Sequence, residues 1–144
     1  MTSLSKNKFI IVAKLAPLVF FLFTPLSSHA AGTAYFKINF DKTSVGVNQT
    51  INLPISLVLN SEQVDTYRLV VSYPTDLLEG ILWNPEKQPF ASESPGNAID
   101  NLVGQVSQGR FTLTGPITKN ANLGTIAFKT KKIGQASIEI ASNS

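Results

Sequence analysis

Cysteine is absent from the 144-residue chain, and its single histidine, His29, sits close to the N-terminus. Without thiols there are no disulfides, thiolate nucleophiles or iron–sulfur ligands. From residue 31 onward there is also no imidazole for a general base, a Ser-His pair or a histidine-containing zinc site. Serine and threonine are plentiful, but no base accompanies them and no Gly-x-Ser-x-Gly elbow presents one. Asp76, Glu79 and Glu86 are the nearest approach to an acidic group, yet no Asp-x-Asp spacing marks a calcium loop. Solvated turn positions are the plainer reading of all three, against paired carboxylates for glycoside hydrolysis. The expectation is a chain without catalytic residues, cofactor or metal.

Excess charge is also lacking once the chain is divided. Twelve Lys and Arg face nine Asp and Glu, giving a formal +3, but Lys6, Lys8 and Lys14 all precede residue 31 and no acidic residue does. Residues 31–144 therefore carry nine charges of each sign. With no basic block beyond Lys129, Lys131 and Lys132, counterion release has little to drive, so nucleic acid is not an expected partner.

An N-terminal export signal is present. Lys6 and Lys8 precede an apolar run over residues 15–23, followed by Pro25 and by Ser28-His29-Ala30. A charged start, a short apolar stretch and small residues at 28 and 30 are the features of a secretory signal peptide, with cleavage expected between Ala30 and Ala31. The alternative, a retained membrane anchor, is disfavoured because Lys14 and Pro17 keep the run well below the ~20 residues that span a bilayer. Membrane contact is then expected only through this segment before cleavage, and residues 31–144 are left as one secreted or surface-exposed domain. A domain of that size without disulfides must rest on a hydrophobic core.

Apolar residues in that domain recur with a period of two. Phe36, Ile38 and Phe40 alternate with polar residues; so do Ile51, Leu53, Ile55, Leu57 and Leu59, and then Tyr67, Leu69, Val71 and Tyr73. Pro54 predicts an edge or a bulge in the second of these strands, because it cannot donate to a ladder. Residues 99–106 read as a strand, Gln108-Gly109 as a tight turn, and residues 110–114 as a return strand with Phe111 and Leu113 inward. Residues 123–130 follow with Ile126 and Phe128, residues 131–134 form a turn, and Ala136, Ile138 and Ile140 close the series. Residues 83–97, with Pro85, Pro89, Pro95 and Gly96, read as a long loop. Seven or eight short strands and no convincing helix predict an all-β fold, an antiparallel β-sandwich. Phe40, Leu53, Leu69, Val71, Ile126, Phe128 and Ile138 are its expected core.

Three stretches together resemble a bacterial cohesin module. The segment AYFKINFDKTSVGVNQ, ending at Gln49, is similar to that family's opening strand and turn. INLPISLVLNSEQVDTYRLVVSYPTDLLEG is similar to its second strand, short loop and Tyr-Asp-Pro-x-x-Leu-Glu segment, here Tyr73, Pro74 and Leu78-Glu79 with Pro-Thr-Asp in place of Asp-Pro. NLGTIAFKTKKIGQASIEI is similar to the strand pair near the end of such modules. The resemblance spans residues 34–140. It implies a flattened jelly-roll sandwich, related in fold to carbohydrate-binding modules, that binds dockerin domains of secreted enzymes or surface proteins. Ser144 ends the chain before the family's last strand, which pairs with the first. A chain cut short of that strand would leave an open edge beside residues 36–40.

Aromatic residues are the remaining candidates. Tyr67 and Tyr73 share the period of the core and read as packing residues. Trp83, at the start of the Pro-rich loop, is the ligand-binding candidate, as a ring on which a sugar could stack; a lid over the sandwich end is the plainer reading. The polar strand face carrying Thr66, Arg68 and Ser72 is a place for a protein partner to dock. Asn48-Gln49-Thr50 fits the N-glycosylation acceptor pattern. The expected function is a non-catalytic, dockerin-docking protein-binding module. A carbohydrate-binding module in polysaccharide binding or degradation, or a structural spacer of a surface protein, is the alternative.

Overall fold

Alternation over residues 51–59 produces the longest uninterrupted wall of the core. In the computed structural model, which describes residues 34–40 and 45–141, Ile51, Leu53, Ile55, Leu57 and Leu59 are all buried, while Asn52 and Pro54 face outward. The expected signal peptide and its Ala30–Ala31 junction lie outside the described residues.

Nine strands form among the described residues: β1 (Tyr35–Ile38), β2 (Thr50–Val58), β3 (Thr66–Ser72), β4 (Leu78–Pro85), β5 (Ser92–Glu93), β6 (Ala98–Asp100), β7 (Gln105–Phe111), β8 (Ala121–Thr130) and β9 (Glu139–Ile140). All pairings are antiparallel. One sheet has the order β1-β2-β8-β4; the other has β5-β7-β3-β9, with β6 also on β7. Both sheets belong to one unit, residues 32–144. Between them lie Leu53, Leu69, Val71, Val106, Leu123, Ile126 and Phe128, each at most 1% exposed. Burying an aliphatic side chain of this kind contributes roughly 1.5–3 kcal/mol, so this layer dominates stability.

Pro54 is accommodated without loss to the β2–β8 ladder. Backbone N and O of one residue point to the same side of an antiparallel strand, and the Pro54 carbonyl accepts from Asn39 N at 2.9 Å, just past the end of β1. Its missing N–H is therefore on the β1 side, where the ladder has stopped, and a register shift follows between Ile55 and Ser56. β1 has β2 as its neighbour on one side and no strand on the other among the described residues. Phe36 and Ile38 are accordingly half-buried, and Phe40, expected in the core, lies beyond the strand at 38% exposure. Ile138, also expected inside, precedes β9 and is half-buried against the core.

Four other expectations are corrected. Trp83 does not open a loop: residues 78–85 form β4, paired with β8 from Leu78↔Thr130 to Pro85↔Gly124. A register shift between Gly80 and Leu82 breaks the alternation there and leaves Ile81 and Leu82 exposed. Gln108-Gly109 is not a turn but the middle of β7, opposite Leu69 and Arg68. The turn falls earlier, at residues 101–104, so residues 99–106 are not one strand. Finally, Leu113 is 79% exposed beyond β7, and Ala136 is exposed before β9. Strand β7 turns Val106, Gln108 and Arg110 inward, and two polar residues in three give no apolar period to read.

Candidate binding face

The outer face of the five-stranded sheet is set by the register of β3 on β7. Residues opposite one another share a face, so Thr66 with Phe111, Arg68 with Gly109, Val70 with Ser107 and Ser72 with Gln105 all look outward. Thr66, Arg68 and Ser72 thus stand together in one row. Glu139 of β9 lies beside Ser72, and Ser92 of β5 beside Phe111.

Arg68 lies across this face and is held from three sides. Its Nη1 donates to Ser107 Oγ at 3.1 Å and to the Gly96 carbonyl at 3.3 Å, and its Nη2 donates to the Pro95 carbonyl. Asn97 completes the hold on the β5–β6 connection: Gly109 N donates to Asn97 Oδ1 at 2.6 Å, and Asn97 Nδ2 donates to the Gly109 carbonyl at 3.2 Å. The amide side chain thereby takes the place of a paired strand residue. Glycine at 109 is required by space, since a Cβ there would come within 2.9 Å of Ser94 Cβ and 3.1 Å of Arg68 Cζ.

Arg110 sits under the same connection on the inner side, 4% exposed. Nε donates to the Phe90 carbonyl at 2.7 Å, Nη2 to the Ala91 carbonyl at 2.9 Å, and Nη1 to Glu93 Oε1 at 3.0 Å. A buried guanidinium needs this degree of pairing. Phe90, 2% exposed, packs edge-on against Tyr67 with centroids 4.9 Å apart. Burial raises the Tyr67 hydroxyl to about 12; Arg110 opposes that shift and Glu93 adds to it. The Tyr67 oxygen is buried with no hydrogen-bond partner.

Trp83 lies in the core, 8% exposed, with its indole nitrogen buried and unpaired. Its ring is one wall of the sandwich rather than a surface on which a sugar could stack. Tyr73 is buried as expected; its hydroxyl donates to Asn101 Oδ1 at 2.7 Å, and burial raises its pKa above the usual tyrosine value, opposed by the backbone hydrogen bond to Gly80. The Asn101 amide also pairs with both backbone groups of Gly80, at 2.7 and 2.9 Å, and so joins the 101–104 turn to β4. A Cβ on Gly80 would meet Ile99 Cγ2 at 2.7 Å. Asp76 pairs with Lys132 at 3.0 Å on the surface, and that hydrogen bond lowers its pKa. Glu79 faces Lys129 across the β4–β8 ladder, and Glu86 lies beyond the end of β4. Among the described residues no three His, Cys, Asp or Glu side chains gather as a metal set. Asn48 takes a left-handed backbone conformation, φ 59°, in an exposed turn.

Sequence reasoning reached the Thr66–Arg68–Ser72 row but missed Arg110, Asn97 and Asn101. Their roles depend on backbone groups 12 to 21 residues away, which carry no sequence signature.

No protein-family model and no curated protein matches the chain. Solved structures do. The solution structure of CaCohA2 from Clostridium acetobutylicum superposes with a TM-score of 0.62 at 15% identity, over 78% of this chain and 76% of that one. A type II cohesin module from the ScaA scaffoldin of Acetivibrio cellulolyticus gives 0.55 at 11% identity, over 74% and 70%. A type I cohesin–dockerin complex from Clostridium thermocellum gives 0.55 at 16% identity, over 73% and 80%. The all-β, antiparallel sandwich of this chain is thus a cohesin fold.

Proposed function

We propose that this chain is an exported, non-catalytic protein-binding module that docks a dockerin-like partner at the cell surface or outside the cell. The observation that carries the reading is the conjunction of a cohesin fold with an outer sheet face whose central Arg68 is fixed by three protein groups. A docking surface gains from such pre-ordering, because less side-chain entropy is lost when the partner arrives. Similar folds occur in solved cohesin–dockerin complexes. The absence of histidine and cysteine from residues 31–144 supports a role without catalysis.

The test uses the exported protein as bait against the secreted proteins of its source, with captured proteins identified by mass spectrometry. A dockerin-bearing protein is expected, retained by wild type and lost from Thr66→Arg and Ser72→Arg, whose side chains lie in the row with Arg68. If a cooperatively folding bait captures no dockerin-bearing protein, the docking reading is overturned; turnover of a glycan or ester above a heat-inactivated control would overturn its non-catalytic part. N-terminal sequencing of the exported protein tests the targeting call, with Ala31 expected as the first residue.

A further inference from the structure

We propose that the opposite side of the molecule, the outer face of the four-stranded sheet, is a binding site for a neutral polysaccharide chain, read by the side-chain amides of Asn39 and Asn122 on either side of Ser56. Three strands bring these residues together: Asn39 just follows β1, Ser56 is on β2 and Asn122 is on β8. Asn39 Nδ2 donates to Ser56 Oγ at 2.8 Å, and Ser56 Oγ donates to Asn122 Oδ1 at 3.0 Å. The relay fixes both amide orientations. It leaves Asn39 Oδ1 as an outward acceptor and Asn122 Nδ2 as an outward donor, with no other protein partner among the described residues. Asn120 behaves in the same way: its Oδ1 accepts from Leu59 N at 2.9 Å, so its Nδ2 is left outward.

These groups line a trough. One depression of about 270 Å³ contains Asn39, Ser56 and Lys37; a second of about 500 Å³ contains Glu86, Pro89, Pro116 and Lys119; Asn120, Ala121 and Asn122 line both. The walls are held by the backbone. Glu86 N donates to the Leu123 carbonyl at 2.8 Å, and Val64 and Ile117 exchange a pair of hydrogen bonds at 2.8 and 3.2 Å. Tyr35, half-exposed, stands on the same outer face opposite Val58, which also lines the trough.

The lining selects the ligand class. Sugar hydroxyls donate and accept at once, and an outward amide oxygen and amide nitrogen at fixed spacing answer both functions. The apolar faces of sugar rings have flat counterparts in Pro89, Pro116 and the Tyr35 ring. An anion would need more positive charge than Lys37 and Lys119 supply beside Glu86. A protein partner would call for a more apolar centre than these amides, with Ala121 between them, provide. Fixed walls and pre-oriented amides lower the entropy lost on binding.

Affinity electrophoresis of the exported protein in gels containing hydroxyethylcellulose, xyloglucan, arabinoxylan or mixed-linkage β-glucan tests the proposal. Retardation by at least one of these is expected, and it should persist at about 0.5 M NaCl because the groups involved are neutral. Asn122→Asp, which keeps the shape but replaces the outward donor by an acceptor, should weaken binding roughly tenfold, and Ser56→Ala should weaken it roughly threefold, in variants whose melting matches wild type. Ser72→Arg, on the other sheet, should leave retardation unchanged. No retardation in any of the four gels, retardation abolished by salt, or retardation that survives both Asn122→Asp and Ser56→Ala would overturn the site. Dockerin capture in the same variants reads the docking proposal independently, since the two faces belong to different sheets.

Discussion

The two sheets face the same core but are built from different materials. The inner face of β2, β8 and β4 is almost wholly apolar, with Ile51, Leu53, Ile55, Leu57, Leu78, Trp83, Leu123, Ile126 and Phe128 buried and Thr130 as the polar exception. In the other sheet, β7 turns Gln108 and Arg110 inward, and the segment leading into and through β5 hangs on the Arg110 guanidinium. The first arrangement is stabilised by burial, which is non-directional and tolerates modest change in shape. The second depends on directional hydrogen bonds, so it places a loop in one position and fails when one partner is removed. A rigid binding face needs the second kind of construction, and it is found beneath and beside Arg68.

The largest expected effect is in the apolar wall. Phe128 is fully buried and packs edge-on with Tyr73, centroids 4.8 Å apart, so Phe128→Ala should cost roughly 3–5 kcal/mol. Chemical denaturation measures it, and an unchanged midpoint would mean that the β8 register is wrong. Arg110→Met comes next. It keeps the apolar stem but strips the Phe90 and Ala91 carbonyls of their donor, so a loss of roughly 2–4 kcal/mol is expected, together with faster amide exchange over residues 90–97. Equal stability with unchanged exchange would erase the contrast between the sheets. Gly109→Ala follows, at about 1–3 kcal/mol, because its Cβ meets Ser94 and Arg68 and one of them must move. Weaker capture of a dockerin-bearing protein by that variant would connect the packing to the docking face.

Tyr67→Phe should have the smallest effect at neutral pH. It removes a buried hydroxyl without a hydrogen-bond partner, so stability should stay within about 1 kcal/mol of wild type or rise. At alkaline pH the two proteins part. Burial raises the folded Tyr67 from 10.0 to about 12. The stabilisation is fully present below the unfolded value and is lost as pH rises through the folded one, because the unfolded chain releases the proton first. Wild type should therefore lose roughly 1–2 kcal/mol over that window after allowance for solvent screening, and Tyr67→Phe should lose less. Parallel alkaline melting curves would show that the hydroxyl is solvated.

β2, β3 and the Ile126–Phe128 half of β8 were legible because a strand half-buried against a core must alternate, and each alternates with large apolar residues. β4 and β7 were not legible for opposite reasons. β4 has a bulge at Gly80 that leaves Ile81 and Leu82 facing water, whereas β7 has polar residues facing the core. Of the candidate face, the row Thr66, Arg68 and Ser72 was visible as the polar half of the β3 alternation. That Arg68 is clamped by Pro95, Gly96 and Ser107 was not.

By itself the sequence determined the class of the protein. A period of two in apolar residues admits little but strands, punctuated turns without a helix admit little but an antiparallel sandwich, and a chain from residue 31 without imidazole or thiol has few routes to catalysis. Tertiary structure alone decided which strands lie beside one another, that Trp83 is a core residue, and that Asn39, Ser56 and Asn122 share one face. The physical reason is the range of the forces involved. Burial acts on each residue according to its own side chain and leaves a local pattern, whereas a hydrogen bond between a side chain and a distant backbone group depends on two positions that meet only after the chain has folded.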